Sequence, residues 1–329
     1  MELTSPNRVL ITGINGFIAG HIAESLTAKG INVRGVCRRP DEISRLELKD
    51  VELVKGDLLD VESIKNAVVG CDVVIHAAGW SGGGGISDSL AWQTNVDGSA
   101  NVIFASKACG VKQFIYISSI AVYGFNRSPL IDESMPTPRI NELYPDSKIA
   151  AEDLVRTSGL PYTIIRPGCT YGPRGEGWTV GIIKQIKNGM QLQGNDDGLI
   201  TPGYIDNFVD GVLLCIFKKE AIGHTFNICD DKAVTYREFY MAFAHMLGLK
   251  VLPAIPVWRV KLSRSQLFKI LRSIMRRNNG NKYSTHFRFN PSQFSIKKAK
   301  LILGYQPKVN FKEGIAKTEA WLKENGLLS

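Results

Sequence analysis

The sequence predicts an α/β fold, a doubly wound parallel sheet with a smaller mixed unit later in the chain. Two observations carry this. Short Val/Ile-rich runs alternate with longer segments of helical periodicity through the first half, the pattern of repeated βαβ units. The runs are also continuously apolar rather than alternating, as expected of strands covered on both faces. In chain order, Val9–Thr12 reads as the first strand and Phe17–Lys29 as the first helix. Strands follow at Val33–Cys37, Val51–Val54, Val73–Ile75, Phe114–Ile117 and Tyr162–Ile165, with helices at 60–69, 88–109 and 143–157 between them. After about residue 170 the rhythm breaks into a Gly- and Asn-rich stretch, and a further helix at Asn207–Phe217 and strand at Thr225–Ile228 return to it. The expected division is therefore 1–170 plus about 204–229 as a dinucleotide-binding unit, and about 171–203 plus 230–329 as a substrate unit.

With 329 residues, 44% of them hydrophobic and 22% charged, the chain can bury a sizeable core. Its net charge of +9 would suit a phosphorylated ligand, a membrane surface or a nucleic acid. Much of the excess lies in 259–300, and no nucleic-acid-binding motif is present, so a nucleic-acid partner is not expected. Residues 257–277 mix apolar side chains such as Trp258 and Phe268 with seven Lys or Arg. They read as a helix with solvated charges, contact with an anionic membrane being the alternative. Six cysteines form no C-x-x-C pair and five histidines no metal-ligand spacing, so buried free thiols and no metal are expected. The amino end lacks a signal-peptide pattern, and no apolar run reaches the length needed to span a bilayer, giving a cytoplasmic expectation.

Thr12-Gly13-Ile14-Asn15-Gly16-Phe17-Ile18-Ala19 joins the first strand to the first helix. A pyrophosphate needs a tight turn, close backbone approach and the free N–H groups of a helix amino end. Gly13 and Gly16 supply the first two, Asn15, Phe17 and Ile18 line the same turn, and Ala19 takes the helix-packing position. This is a Rossmann-type arrangement with G-x-x-G spacing. The second strand ends Cys37-Arg38-Arg39, with guanidiniums where an NAD site usually places a carboxylate. Arg38 foremost, and Arg39, favour NADP(H) over NAD(H) by pairing with a 2′-phosphate.

Tyr144 and Lys148 stand four residues apart, on one face of a helix. A phenol near pKa ~10 is a poor base at neutral pH, and an adjacent ammonium is expected to lower that value and allow proton exchange with an alcohol or carbonyl oxygen. The strand Phe114–Ile117 ends in Ser118-Ser119, and a hydroxyl there can bind the reacting oxygen. Ser119 is the first choice and Ser118 the second. Trp80, Gly82, Trp178 and Tyr204 are candidate substrate contacts. The Gly82–Gly85 run reads equally well as a lid or a surface loop, and His76 is expected to pack beside the cofactor.

Taken in order, the motifs resemble the extended short-chain dehydrogenase/reductase family over nearly the whole chain. They are T-G-x-x-G-F-I-A at 12–19, Gly56-Asp57-Leu58, His76-Ala77-Ala78-Gly79, Asn95-Val96-Asp97-Gly98, Ser118 to Gly124, Tyr144-x-x-x-Lys148, and Arg166-Pro167-Gly168 through Pro173. The resemblance implies that Asp57 and Leu58 border the adenine and that Ala77, Ala78 and Gly79 line the middle of the cofactor. It implies that Asn95 supports the active-site helix, Lys148 holds the nicotinamide ribose, and Pro167 and Gly168 pass beside the nicotinamide. It also implies a homodimer through the helices near 88–109 and 143–157. Within the family, the Pro-Gly-Cys after Arg166 and the absence of an Arg before Tyr204-Ile205-Asp206-Asn207 look more like the 3β-hydroxysteroid dehydrogenase and dihydroflavonol reductase branches than the sugar-nucleotide enzymes. A diphosphate without that cation would lose bonds worth roughly 1.5–3 kcal/mol each. The expected activity is thus interconversion of a ketone and a secondary alcohol on an apolar small molecule. A nucleotide-sugar epimerase, dehydratase or reductase is the alternative. A cofactor-sensing interaction protein without turnover is the second alternative, disfavoured by the intact Ser119, Tyr144 and Lys148.

Overall fold

Seven of the apolar runs pair in parallel into one sheet. Its strands are β1 (Arg8–Thr12), β2 (Asn32–Cys37), β3 (Val51–Lys55), β4 (Val73–His76), β5 (Gln113–Ile117), β6 (Tyr162–Pro167) and β7 (His224–Ile228). The order across the sheet is β7-β6-β5-β4-β1-β2-β3. This computed structural model describes residues 6–42, 48, 50–83, 85–193, 198–255 and 291–328. The basic stretch 257–277 lies outside the described residues.

Alternate side chains of each strand enter different cores, as the two-residue period requires. Val9, Ile11, Ile75 and Ile115 pack with Ala19, Ile22 and Leu26 of α1 (Phe17–Thr27) and Phe208 and Val212 of α7 (Ile205–Phe217). Leu10, Val74 and Phe114 face the opposite side, against Ile64 of α2 (Val61–Val68), Val102 of α4 (Asp97–Ala108) and Val155 of α5 (Leu143–Thr157). Both faces are therefore covered, which explains the unbroken apolar runs. The strand order reverses between β1 and β4, so the crevice beyond their carboxyl ends is the expected ligand position.

The single helix expected at 88–109 is two, α3 (Asp88–Asn95) and α4, meeting at Val96. Periodicity does not mark the break, because Val96 stays in the helical region, with φ −100° and ψ −59°. All six cysteines carry free thiols, five of them buried. Among the described residues no helix is long and apolar enough to cross a membrane.

The later part of the chain adds α6 (Gly181–Lys187), α8 (Tyr236–Met246), α9 (Lys297–Leu303) and α10 (Phe311–Glu324). Short pairings tie it down, notably Cys169–Tyr171 with Pro202–Tyr204 and Leu130–Ile131 with Gln293–Phe294. Asp230 is central here. Its buried carboxylate accepts from the Tyr204 N–H at 3.2 Å and from Asn207 Nδ2 at 2.7 Å. Burial raises Asp230 to about 6, with the Asn207 and Tyr204 bonds pulling the other way. Its folded value thus lies above the unfolded one, so stability from this group is full below about pH 4 and is lost as the pH rises through about 6. Melting curves of Asp230→Asn should accordingly lack part of the wild-type decline between pH 4 and 6.

Candidate active site

The turn after β1 packs against the loop after β4. Gly13 has φ +70°, and a Cβ there would lie 2.8 Å from Ala78 Cα, so only glycine fits. Gly13 and Ile14 both donate N–H to Val36 O, at 3.0 and 3.3 Å. Ile14 is buried over Gly35, where a Cβ would meet Ile14 Cγ1 at 2.5 Å. Gly35 is thus a requirement of the turn that no motif in the sequence singles out. Gly16 caps α1 with no side-chain acceptor, leaving the first-turn N–H groups of an 11-residue helix for a ligand. Asn15 and Gly16 are exposed, while Phe17 and Ile18 are half-buried beside them. A bare helix end facing a cradle that Cβ atoms would fill suits a dinucleotide pyrophosphate.

Farther along the sheet edge, Gly56 N donates to Cys37 O at 3.0 Å and brings the loops after β2 and β3 together. Arg38 and Arg39 are exposed in the first of these loops and Asp57 is exposed at the rim of the second, where its Oδ1 accepts from Leu59 N at 3.0 Å. Leu58 is half-buried, and a Cβ on Gly98 would meet its Cβ at 2.9 Å. Ala77 and Ala78 are half-buried and Gly79 exposed at the carboxyl end of β4.

Tyr144 lies in the first turn of α5, as the spacing predicts, and its hydroxyl is hydrogen-bonded to Ser119. The indole of Trp80 meets the Tyr144 ring edge-on, with centroids 6.3 Å apart. Ser118, the second choice, turns away: its hydroxyl donates to buried Glu152 Oε1 at 2.6 Å. Asn95 locks the surroundings. Its Nδ2 donates to Trp80 O and to Ser147 Oγ, each at 2.9 Å, and its Oδ1 accepts from Trp80 N at 2.6 Å. Asn95 therefore fixes both the loop carrying Trp80 and the helix carrying Tyr144. Gly82, half-buried, follows in that loop with φ +102°.

Several expectations need correction. Tyr144 does not have the lowered pKa expected from its spacing to Lys148. Burial raises the phenol above its usual value, and the Ser119 bond only partly offsets this. Lys148 Nζ instead donates to Tyr116 Oη at 3.2 Å and Ile117 O at 2.9 Å. Burial lowers Lys148 to about 8, with Glu152 opposing. His76, expected to pack beside the cofactor, is completely buried at the end of β4 and bonded to Thr12 and Ser99. Tyr204, expected as a pocket wall, is a core residue: it packs edge-on against Tyr171 at 5.5 Å, and a Cβ on Gly314 would meet it at 2.8 Å. Trp178 joins the same aromatic cluster, 5.9 Å from Phe239. An aromatic in a loop-rich stretch carries no signal of which side it faces.

Pro167 is buried at the end of β6, beside Ser118, whose N–H donates to Ile165 O at 2.7 Å. Gly168 follows, and a Cβ there would lie 2.7 Å from Thr201 O. Beneath the site lies an ion pair that sequence reasoning missed. Arg166 Nε and Nη2 donate to Glu152 Oε1 and Oε2 at 2.9 and 2.6 Å, both side chains being buried. Fourteen residues separate the two, so no local spacing announces it. Among the described residues no group of side chains is arranged to hold a metal ion.

The model of the NAD dependent epimerase/dehydratase family matches residues 9–229. The chain is similar to 2-alkyl-3-oxoalkanoate reductase of Shewanella oneidensis, 28% identical over 340 residues covering 96% of this chain and 86% of the relative. It is 29% identical over 350 residues to the decarboxylating sterol-4-alpha-carboxylate 3-dehydrogenase of Saccharomyces cerevisiae, covering 96% of this chain and 98% of that one. Its fold superposes on that of MoeE5 in complex with UDP-glucose and NAD with a TM-score of 0.75 at 21% identity, covering 97% and 99% of the two chains. A glycine cradle at the β1/β4 crevice, a Ser/Tyr/Lys set beside it and a match over two-thirds of the chain agree: the protein belongs to the NAD dependent epimerase/dehydratase family, within the extended short-chain dehydrogenases/reductases, and is an NAD(P)-dependent oxidoreductase.

Proposed function

We propose that the enzyme uses NADPH to reduce a ketone on an apolar small molecule to the secondary alcohol. The observation that carries this is the pair of bonded hydroxyls, Ser119 and Tyr144, set beside Trp80 at the carboxyl ends of the strands. The glycine turn and Lys148 would hold the cofactor, which when bound would provide hydride-transfer chemistry at the carbonyl carbon. Tyr144 gives its hydroxyl proton to the carbonyl oxygen as the C–O double bond is reduced. Because burial keeps the phenol protonated, it is poised as the donor that reduction requires. Ser119 donates to the same oxygen and fixes its position, and Trp80 offers an apolar wall. Residues 1–170 with 204–229 would carry the cofactor, and 171–203 with 230–329 the substrate. The substrates named for the two relatives, an alkyl-oxoalkanoate and a sterol carboxylate, are both largely apolar carbon skeletons.

The test is NADPH oxidation with a panel of oxoalkanoates and keto-steroids beside uridine and guanosine diphosphate sugars. Oxidation with members of the first group supports the reading; conversion of diphosphate sugars alone overturns it in favour of a nucleotide-sugar enzyme. Arg38 and Arg39 would bind the 2′-phosphate. Replacing both with Ala is expected to reduce the ratio of NADPH to NADH affinity about tenfold or more, given the strength of charge-assisted bonds to phosphate. An unchanged ratio would contradict that assignment.

A further inference from the structure

Tyr116 is a phenol in the middle of the sheet, 1% exposed, on a strand whose neighbours are Phe114 and Ile115. A hydroxyl so far from water is costly unless partnered. It accepts from Lys148 Nζ at 3.2 Å and has the Ser99 hydroxyl as a hydrogen-bonding neighbour. From Ser99 the polar contacts continue. His76 Nε2 lies 2.9 Å from Ser99 Oγ, His76 Nδ1 lies 2.8 Å from Thr12 Oγ1, and Thr12 Oγ1 accepts from Ala78 N at 3.1 Å. A buried line of polar groups thus runs from the glycine turn to the ammonium.

The bonds fix the direction of every proton in that line. Ser99 spends its own on Asn95 O, 2.6 Å away, so it can only accept from its other neighbours. His76 must therefore carry its proton on Nε2 and donate to Ser99. Its Nδ1 then accepts from Thr12, which in turn accepts from Ala78 N–H. A neutral ring is required, and burial, helped by Lys148, lowers His76 to about 3. By the same rule the Tyr116 hydroxyl can meet Ser99 only as the donor, which leaves its lone pairs to Lys148. No proton can be relayed through a serine whose hydrogen is committed elsewhere, so the line serves to orient.

We propose that Tyr116 is a positioning residue for Lys148: the oriented Thr12–His76–Ser99–Tyr116 line aims a phenol lone pair at Nζ and holds the ammonium beside Gly79. This rests on the reading of Lys148 as the holder of the cofactor. A Cβ on Gly79 would come to 3.9 Å from Nζ, so the ammonium lies within contact distance of that backbone turn. The ionisable groups around it are Glu152 and Tyr144 on its own helix, Tyr116 on β5 and His76 on β4. Glu152 acts at a distance, its oxygens being taken by Ser118, Arg156 and Arg166. The neutral acceptors Tyr116 and Ile117 therefore hold the charge directly.

The experiment follows the Lys148 side chain by NMR across a pH titration of the cofactor-free protein, assigned with Lys148→Met, and measures NADPH affinity alongside. Tyr116→Phe keeps the ring and removes one acceptor, so the ammonium should become about tenfold more acidic and NADPH should bind about tenfold more weakly. Ser99→Ala, which perturbs the line without touching the sheet interior, should shift the same midpoint in the same direction by about threefold. It serves as the test if Tyr116→Phe does not fold. A Lys148 midpoint unchanged in the folded variant overturns the proposal even if the wild type reduces ketones. A shifted midpoint in a protein that binds no dinucleotide sinks the cofactor reading while leaving Tyr116 as the positioning group.

Discussion

Tyr144→Phe is expected to lower kcat for ketone reduction by about 10²-fold or more, the usual weight of a positioned acid or base. NADPH affinity should stay within about threefold of wild type. The substitution removes one oxygen and leaves the ring that packs edge-on against Trp80. It also removes the bond to Ser119, but that hydroxyl still accepts from Ala121 N at 3.1 Å and so stays in place. The loss should therefore fall on kcat rather than on folding or cofactor binding, which steady-state kinetics and fluorescence titration of NADPH would separate. The raised pKa adds a pH signature: reduction should persist well into alkaline solution before the phenol ionises. Near-normal turnover in the Tyr144→Phe variant would remove Tyr144 from the chemistry.

Glu152→Ala is expected to destabilise the protein by roughly 3–5 kcal/mol, the cost of leaving a buried charge without its partner. Arg166 would keep its charge in the interior, with the Tyr123 ring under its guanidinium at 4.7 Å. Among the described residues its Nη1 has no hydrogen-bond acceptor even with Glu152 present. Ser118 would lose its acceptor as well, and it stands next to Ser119. Urea denaturation with activity measured in parallel should show lower stability together with slower turnover. The double variant Glu152→Met, Arg166→Met should recover much of the stability, since buried ion pairs often exchange for apolar pairs at little cost. Burial pushes the Glu152 carboxyl up, but the two Arg166 bonds outweigh it and hold the group below its usual range. Its contribution is thus present above about pH 4–5 and is lost as the pH falls through the lowered folded value.

How much of this was legible in the sequence follows from the range of the interactions. Strand positions, the glycine turn and the first-turn placement of Tyr144 depend on neighbours within a few residues, and their spacing reports them directly. Helix 143–157 is present with the bounds that periodicity suggested. The Glu152–Arg166 pair and the line through His76 and Tyr116 join residues far apart in the chain. No spacing encodes them. Tyr116 read as one more apolar residue of a strand, which by burial it is; its hydroxyl becomes visible only once α5 lies across the sheet. The mistaken effect of Lys148 on Tyr144 has the same origin, because an i, i+4 spacing shows that two groups share a face, not where a long side chain ends. Tyr204 shows the converse. An aromatic near a motif need not line the pocket when a glycine, here Gly314, opens space for it in the core.

The most direct measurement is the transfer of deuterium from NADPH labelled at nicotinamide C4 to an apolar ketone, read by mass spectrometry of the isolated alcohol. One deuterium on the carbinol carbon per NADPH consumed, nearly absent with the Tyr144→Phe enzyme, is the result this account predicts. Recovery of unlabelled substrate with the NADPH intact, while a sugar nucleotide is turned over, would contradict it.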